Sequence, residues 1–315
     1  MLGDSNPMAE EDLKTEGSGV PAQHPTRHHI VPAPRNRWVL VHYHIFKNAG
    51  STIENVLQRS FGSRFATLHG PEPDSALNGG DVAAFLTSYP DLAAISSHHV
   101  RYPKPVVPQV IVFDICFFRD PLQRLWSMYK FIRRSEPFDE LSKGRKSMDA
   151  RSFFEQLLQE HPHLVNDVQV CTLATRGEYT RPPTESDLRV ALEVLSGISV
   201  LGVVELFDES ALAAEYFLRP TFPMLQFHYL KQNADPASHA SPEMERERFR
   251  REIGDSIFGQ LERMNELDTE LVACARTEVL RRWALMPNKD ARVTDFRERC
   301  RALQEQSVLA ADKNG

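Results

Sequence analysis

Nine residues, Val110 to Phe118 (VIVFDICFF), form an almost unbroken apolar run that stops abruptly at Arg119-Asp120-Pro121. Such a run marks a strand covered on both faces, and sheets covered on both faces are parallel ones whose strands are joined by helices. The next residues supply the helix. Asp120 suits an N-cap, Pro121 the first helical position and Gln123 the return of a capping box, while Leu122, Leu125, Trp126, Tyr129 and Ile132 recur as an apolar stripe. A similar junction lies upstream. WVLVHYHIF, from Trp38, has the β-branched and aromatic content of a buried strand, and Ile53, Val56, Leu57 and Phe61 recur at helical spacing, which leaves KNAGST between strand and helix. Leu92 to His99 and Ile198 to Val204 are further strand candidates. Helical patterns cover Phe153 to Gln159, Asp187 to Leu195, Ser210 to Leu218 and about Ser256 to Trp283. The alternation predicts an α/β fold: a P-loop-like, mainly parallel sheet flanked by helices, with a helical C-terminal part.

At 315 residues the chain can hold one large α/β domain, expected over 37–290 between an N-terminal tail (1–36) and a polar C-terminal tail (291–315). The first tail is rich in Pro, Gly, Ser, Glu and His without an apolar period, and His24, His28 and His29 read there as solvated side chains. Hydrophobic residues at 41% and charged residues at 25% exclude disordered, collagenous and membrane classes. The net charge of −6 excludes a general nucleic-acid binder, so any anion site is local. Cys116, Cys171, Cys274 and Cys300 are widely spaced and form no zinc-ligand pattern, so no metal site is expected and reduced thiols are. No apolar run is long enough to cross a bilayer and the N-terminus lacks a basic-then-apolar export signal, which points to a cytoplasmic protein with no integral membrane segment. Oligomeric state is not readable.

In parallel sheets ligands bind beyond the carboxyl ends of the strands, where the two junctions meet. Lys47-Asn48-Ala49-Gly50-Ser51-Thr52 combines a cation, backbone N–H groups at a helix start, a glycine that permits close approach and two hydroxyls, the ingredients of an anion cradle. It is not a Walker A loop, because its lysine precedes its glycine. The competing reading is that Ser51 and Thr52 cap a helix and Lys47 is solvated. At the second junction Arg119 is suited to bidentate phosphate recognition, and Ser127, two helical turns on, adds a hydroxyl. The competing reading there is an ion pair from Arg119 to Asp120 or Asp139.

Together, HIFKNAGSTI and FFRDPLQRLWSMY resemble the paired nucleotide-binding motifs of the PAPS-dependent sulfotransferases, most closely the carbohydrate O-sulfotransferase branch related to heparan sulfate 2-O-sulfotransferases. The resemblance implies that Lys47, Asn48, Ala49, Gly50, Ser51 and Thr52 hold the 5′-phosphosulfate of PAPS, and that Arg119 and Ser127 hold its 3′-phosphate. Weaker likenesses at Asn166 with Gln169, at Gly202, Glu205 and Phe207, and at Glu266 to Leu271 extend it over about Trp38 to Trp283. The chain departs from the family pattern in carrying Phe46 and Asn48 around Lys47, and Ser97-His98-His99 where a Gly-His pair is usual. The implied activity is sulfuryl transfer from PAPS to a hydroxyl of a small-molecule or glycan acceptor, leaving PAP. Lys47 would neutralise the leaving phosphate and a histidine would serve as general base; position favours His98, with His99 as rival.

Two other classes fit parts of the pattern. A P-loop kinase using ATP-Mg would need a Walker B-like carboxylate, for which Asp114 stands in VIVFD, although its place inside an apolar run reads as a hydrogen-bonded strand residue. A non-catalytic nucleotide- or glycan-binding protein of the same fold would keep the donor pockets without turnover. The basic segment Arg133 to Arg151 reads either as a rim for an anionic glycan or as a solvated charged loop.

Overall fold

The structure, a computed structural model, describes residues 36–72, 75–135, 142–176, 181–230 and 241–312. The expected N-terminal tail, with His24, His28 and His29, lies outside the described residues except for Asn36.

Five strands, β1 (Arg37–Tyr43), β2 (Phe65–Thr67), β3 (Ala94–Ser97), β4 (Val110–Phe118) and β5 (Val200–Val203), pair in the order β2-β3-β1-β4-β5. Every pairing is parallel. The fold is therefore α/β, as the sequence implies. β1 is the central strand: the chain leaves it toward β3 on one side and returns to β4 on the other, so the sheet changes winding direction at its carboxyl end. Register locks the two junctions side by side, since Tyr43 of β1 pairs with Cys116 of β4 and with Ser97 of β3.

Alternation along the strands splits the core by face. Val39, Val41 and Tyr43 of β1 pack with Cys116, Phe118, Leu201 and Val203 under α2 (Gly79–Ser88), α5 (Val168–Ala174), α6 (Glu185–Ser196) and α10 (Glu266–Ala284). Leu40, Ile115, Phe117 and Val200 face the other way, under α1 (Gly50–Phe61) and α7 (Phe207–Leu218). A third apolar cluster joins α3 (Pro121–Arg134), α4 (Ala150–Glu160), α8 (Pro242–Ile253) and α9 (Asp255–Arg263), and it fixes the helix that leaves β4.

Three features differ from the sequence reading. The helical stretch expected from Ser256 to Trp283 is two helices, α9 and α10, interrupted at Asn265. The buried Asn265 amide donates to the Val165 and Leu261 carbonyls (2.7 and 2.8 Å), and this turns the chain. The expected polar tail 291–315 is replaced by a helix, α11 (Lys289–Asp312), anchored by fully buried Phe296 in the α1/α7 layer. The capping box at α3 is half formed: Asp120 accepts from Gln123 N (2.8 Å), but the Gln123 amide donates to the Pro242 carbonyl of α8 (3.0 Å). The four cysteines are free thiols. Among the described residues no helix is long and apolar enough to cross a membrane.

Candidate functional site

β1 ends at Tyr43, and the chain then curls tightly, with Asn48 N donating to the Ile45 carbonyl (3.1 Å). Lys47 and Ala49 both take left-handed backbone conformations (φ 69° and 63°), which cost non-glycine residues of the order of 1 kcal/mol or more each and persist where the surroundings impose them. Ala49 is the residue before α1 and makes no side-chain cap. Ser51 and Thr52 are thus inside the first helical turn, which replaces the reading of them as caps. By position, the first N–H groups of α1, at Gly50 and Ser51, have no intrahelical acceptor. They open at the end of β1, where the helix dipole favours an anion. Gly50 is required there by packing: a Cβ on it would lie 1.6 Å from His44 Nε2.

Lys47 and Arg119, which leave different strands, meet. Arg119 Nη1 donates to the Lys47 carbonyl (3.0 Å), and the Lys47 ammonium sits over the Phe131 ring, 4.0 Å from its centroid. Arg119 Nε is buried without a partner. Burial, and then the neighbouring guanidinium, hold the Lys47 ammonium down to about 8. Burial also lowers Arg119, against the opposing charges of Glu205 and Asp120. Arg119 makes no ion pair with Asp120, whose carboxylate caps α3 and whose N–H donates to Glu205 (3.3 Å); Asp139 lies outside the described residues. Ser127 is half-buried on α3, four residues before Phe131 and so on the helix face that Lys47 crosses.

Asn48 is turned the other way. Its amide donates to the Phe117 carbonyl (2.9 Å) and to Gln169 Oε1 (2.8 Å), and its own N–H goes to Ile45, so its donors are engaged internally; it buttresses the cradle rather than lining it. Gln169 is the hub of this buttress. Its Oε1 also accepts from Arg119 N (3.0 Å), and its Nε2 donates to the Arg119 carbonyl (2.9 Å) and to Asp268 (3.2 Å). Asp268 further accepts from Gln169 N and Val170 N (3.1 and 2.8 Å), capping α5. The sequence likenesses around Gln169 and Glu266 to Leu271 are thus structural ties between the two junctions. Asp167, beside them, is pushed up to about 7 by burial and by Asp268.

The two candidate bases diverge. The His98 ring stacks on His44 (centroids 3.6 Å, 32°) and lies edge-on to Phe46 (6.3 Å), so one aromatic ring separates it from the Lys47 side chain. Its Nδ1 donates to the His44 carbonyl (3.0 Å), leaving Nε2 as the acceptor nitrogen. Burial pushes His98 down to about 3, with His44 lowering it further and Glu54 opposing. His99 turns toward the loop after β2, where its Nδ1 accepts from Gly70 N (2.6 Å). Sequence reasoning missed His44 and Glu54. His44 Nδ1 meets Glu54 Oε1 at 3.0 Å, the Ser96 hydroxyl donates to the same oxygen (2.8 Å), and His42 Nδ1 meets the Ser96 hydroxyl (2.9 Å). The signal was present as His42 in β1 and His44 two residues on, just past the strand, with Glu54 in the second turn of the helix that follows. These three residues bring metal-ligand atoms within 4.8 Å of one another, but hydrogen bonds through Ser96 already engage them.

Asp114 is buried and accepts from Tyr102, Lys104, and the N–H and hydroxyl of Ser199 (2.7 to 3.1 Å), which leaves it no magnesium-facing role. Of the basic segment, Arg145 is buried in an ion pair with Glu160 (2.6 Å), and Arg133 packs over Tyr129. Between α3 and α8 a cleft of about 250 Å³ is lined by Trp126, Tyr129, Lys130, Arg133, Arg134, Arg248 and Glu252, with Lys130 held by Glu245 (2.8 Å) and Arg248 by Glu252 (3.0 Å).

No protein-family profile matches the chain. It is similar to an uncharacterised protein of Archaeoglobus fulgidus, 27% identical over 246 residues that cover 75% of this chain and 95% of that protein.

Proposed function

We propose that the chain is a PAPS-dependent O-sulfotransferase acting on a hydroxyl of an acceptor, with the carbohydrate class favoured. The observation that carries this reading is the convergence of two cations from separate strand ends. Lys47 and Arg119 are linked through the Lys47 carbonyl (3.0 Å), close enough for the guanidinium to disfavour the Lys47 charge. The Lys47 ammonium near the Arg119 guanidinium is eased when a further anion joins Glu205 and Asp120 there, and the buried, unpartnered Arg119 Nε together with the uncapped α1 N-terminus supplies donors that fit phosphate oxygens.

PAPS, when bound, supplies a sulfuryl group already activated on a phosphate. Lys47 and the first N–H groups of α1 would bind the 5′ end and neutralise charge gathering on its leaving oxygen, while Arg119 and Ser127 would hold the 3′-phosphate. His98 Nε2, its ring oriented by the Nδ1–H bond to His44, would take the acceptor hydroxyl's proton. Asn48, Gln169 and Asp268 keep the two pockets at fixed spacing.

Titration of the protein with PAP in the absence of metal, and with ATP-Mg, tests the donor; metal-dependent ATP binding alone would favour a kinase. Labelled PAPS with acceptor pools then tests transfer, and PAP binding without transfer would favour a non-catalytic nucleotide-binding protein. His98→Ala should lower transfer about 10²- to 10⁴-fold while PAP still binds. Equal loss from His99→Ala with His98→Ala active would reverse the assignment of the base.

A further inference from the structure

The His42, Ser96, Glu54 and His44 side chains form a continuous hydrogen-bonded run that ends on the face of His98, and neither the donor pockets nor the base requires it by itself. A carboxylate only accepts hydrogen bonds, so the 3.0 Å contact fixes the proton of His44 on Nδ1. The ring thus held presents Nε2 to the α-carbon of Gly50 and its face to His98. The His44 carbonyl, fixed by the same residue's place at the end of β1, accepts from His98 Nδ1 (3.0 Å) and so sets the tautomer of the base as well. His44 is buried against Gly50 and is not itself presented to an acceptor.

We infer that Glu54 and His44 are positioning residues for the general base: Glu54 orients His44, and its carboxylate faces the imidazolium that forms on His98 when the acceptor's proton arrives. The inference rests on the sulfuryl-transfer reading of this site and deepens it. The proton moves from the acceptor oxygen to His98 Nε2 as the new oxygen–sulfur bond forms and the phosphate oxygen–sulfur bond breaks, so positive charge grows on His98 in a buried place. The titratable and charged groups facing that ring are His42 from β1, His44 just past its end, Glu54 from α1, the adjacent His99, and Arg101, whose Nη1 donates to the His98 carbonyl (2.6 Å). Glu54 is the anion among them. Burial raises its carboxyl, but the His44 and Ser96 hydrogen bonds outweigh that and leave it below its ordinary value, so it stays ionised at neutral pH.

Glu54→Gln keeps an acceptor oxygen and removes the charge. It should lower kcat roughly tenfold or more and move the acid limb of the kcat profile to lower pH, because His98 loses the charge that favours its protonation. PAP affinity should stay the same or tighten, since a negative charge near the anion-binding end of α1 is gone. A merely structural role would weaken PAP binding and turnover together. Glu54→Ala gives a readout that needs no donor: nitrogen NMR of His44 should report the Nδ1–H form in the parent protein and its loss in the variant. An unchanged kcat and pH profile in Glu54→Gln, a parallel loss of PAP affinity and kcat, or an unchanged His44 tautomer in Glu54→Ala would each overturn the inference. Failure of the parent protein to bind PAP would instead sink the sulfuryl-transfer reading, and the His44 tautomer in the unliganded protein would still decide the positioning one.

Discussion

The two strand-to-helix junctions perform the same topological task with opposite local chemistry. At the second, Asp120 caps α3, Pro121 fills its first position and Gln123 ties it to α8, so the helix start is closed and what the junction offers is the Arg119 guanidinium, turned toward the Lys47 carbonyl. At the first, two non-glycine residues sit in left-handed conformations, the residue before α1 provides no side-chain cap, and a histidine ring presses on Gly50. One junction is built for rigidity and offers a side chain, whereas the other carries strain and offers its backbone together with the Lys47 ammonium. Strain of this kind persists because Gln169 bonds both Asn48 and Arg119 and holds each junction against the other.

The largest effect should come from closing the open junction. Gly50→Ala would set a methyl group 1.6 Å from His44 Nε2, on a ring that Glu54 and His98 hold in place. Overpacking of this sort costs about 1–3 kcal/mol. Thermal unfolding of the variant should begin at lower temperature and PAP should no longer raise its midpoint. A variant that gains the usual stabilisation from PAP would break the contrast between the junctions. Arg119→Ala comes next. It removes the guanidinium of the closed junction, and the loss of hydrogen bonds to a charged group, about 1.5–3 kcal/mol, corresponds to roughly a 10- to 100-fold weaker PAP affinity by calorimetry. Arg119→Lys should restore little of it, because an ammonium lacks the planar fork.

The sheet and both junctions were legible because their signals are local: an apolar run, a helical stripe, an Asp-Pro start. β2, at three residues, is too short to leave a pattern, and α11 reads as polar because Phe296 is its one fully buried hydrophobic side chain among the described residues. Asn48, Gln169 and the Glu266 to Leu271 stretch stand out by family likeness, but their pairing into a buttress was illegible for a different reason. Asn48 meets Gln169 across 121 residues of chain and Gln169 meets Asp268 across 99, and single hydrogen bonds at such separations leave no periodic trace. The same holds for His44, whose partner Glu54 is near in sequence but whose significance comes from the Gly50 and His98 surfaces it touches.

Lys47 separates the two junctions by pH. Its folded value of about 8 lies below the ordinary lysine value, so above pH 8 the unliganded fold sheds a proton that the unfolded chain keeps, and its contribution makes stability rise with pH until the unfolded lysine also titrates. Anion affinity runs the other way, falling by roughly tenfold per unit from pH 8 up to the higher value that Lys47 takes beside a bound anion. Calorimetric titration with PAP from pH 7 to 10 checks the affinity and denaturant unfolding of the unliganded protein over the same range checks the stability, each repeated on Lys47→Met; a slope that survives in the variant would assign the titration elsewhere.

The smallest effect is expected where the second junction is broken without touching its cation. Asp120→Ala removes the acceptor for Gln123 N, and loss of such a cap costs about 1 kcal/mol. Pro121 still fixes the first helical φ, the Gln123 bond to α8 remains, and Gln169 continues to hold the Arg119 backbone from both sides. PAP affinity should therefore change by no more than about threefold, less than 1 kcal/mol, while chemical denaturation registers the lost cap. If affinity instead falls as far as in Arg119→Ala, the position of the guanidinium depends on the helix start itself, and the second junction is as much a binding element of backbone as the first.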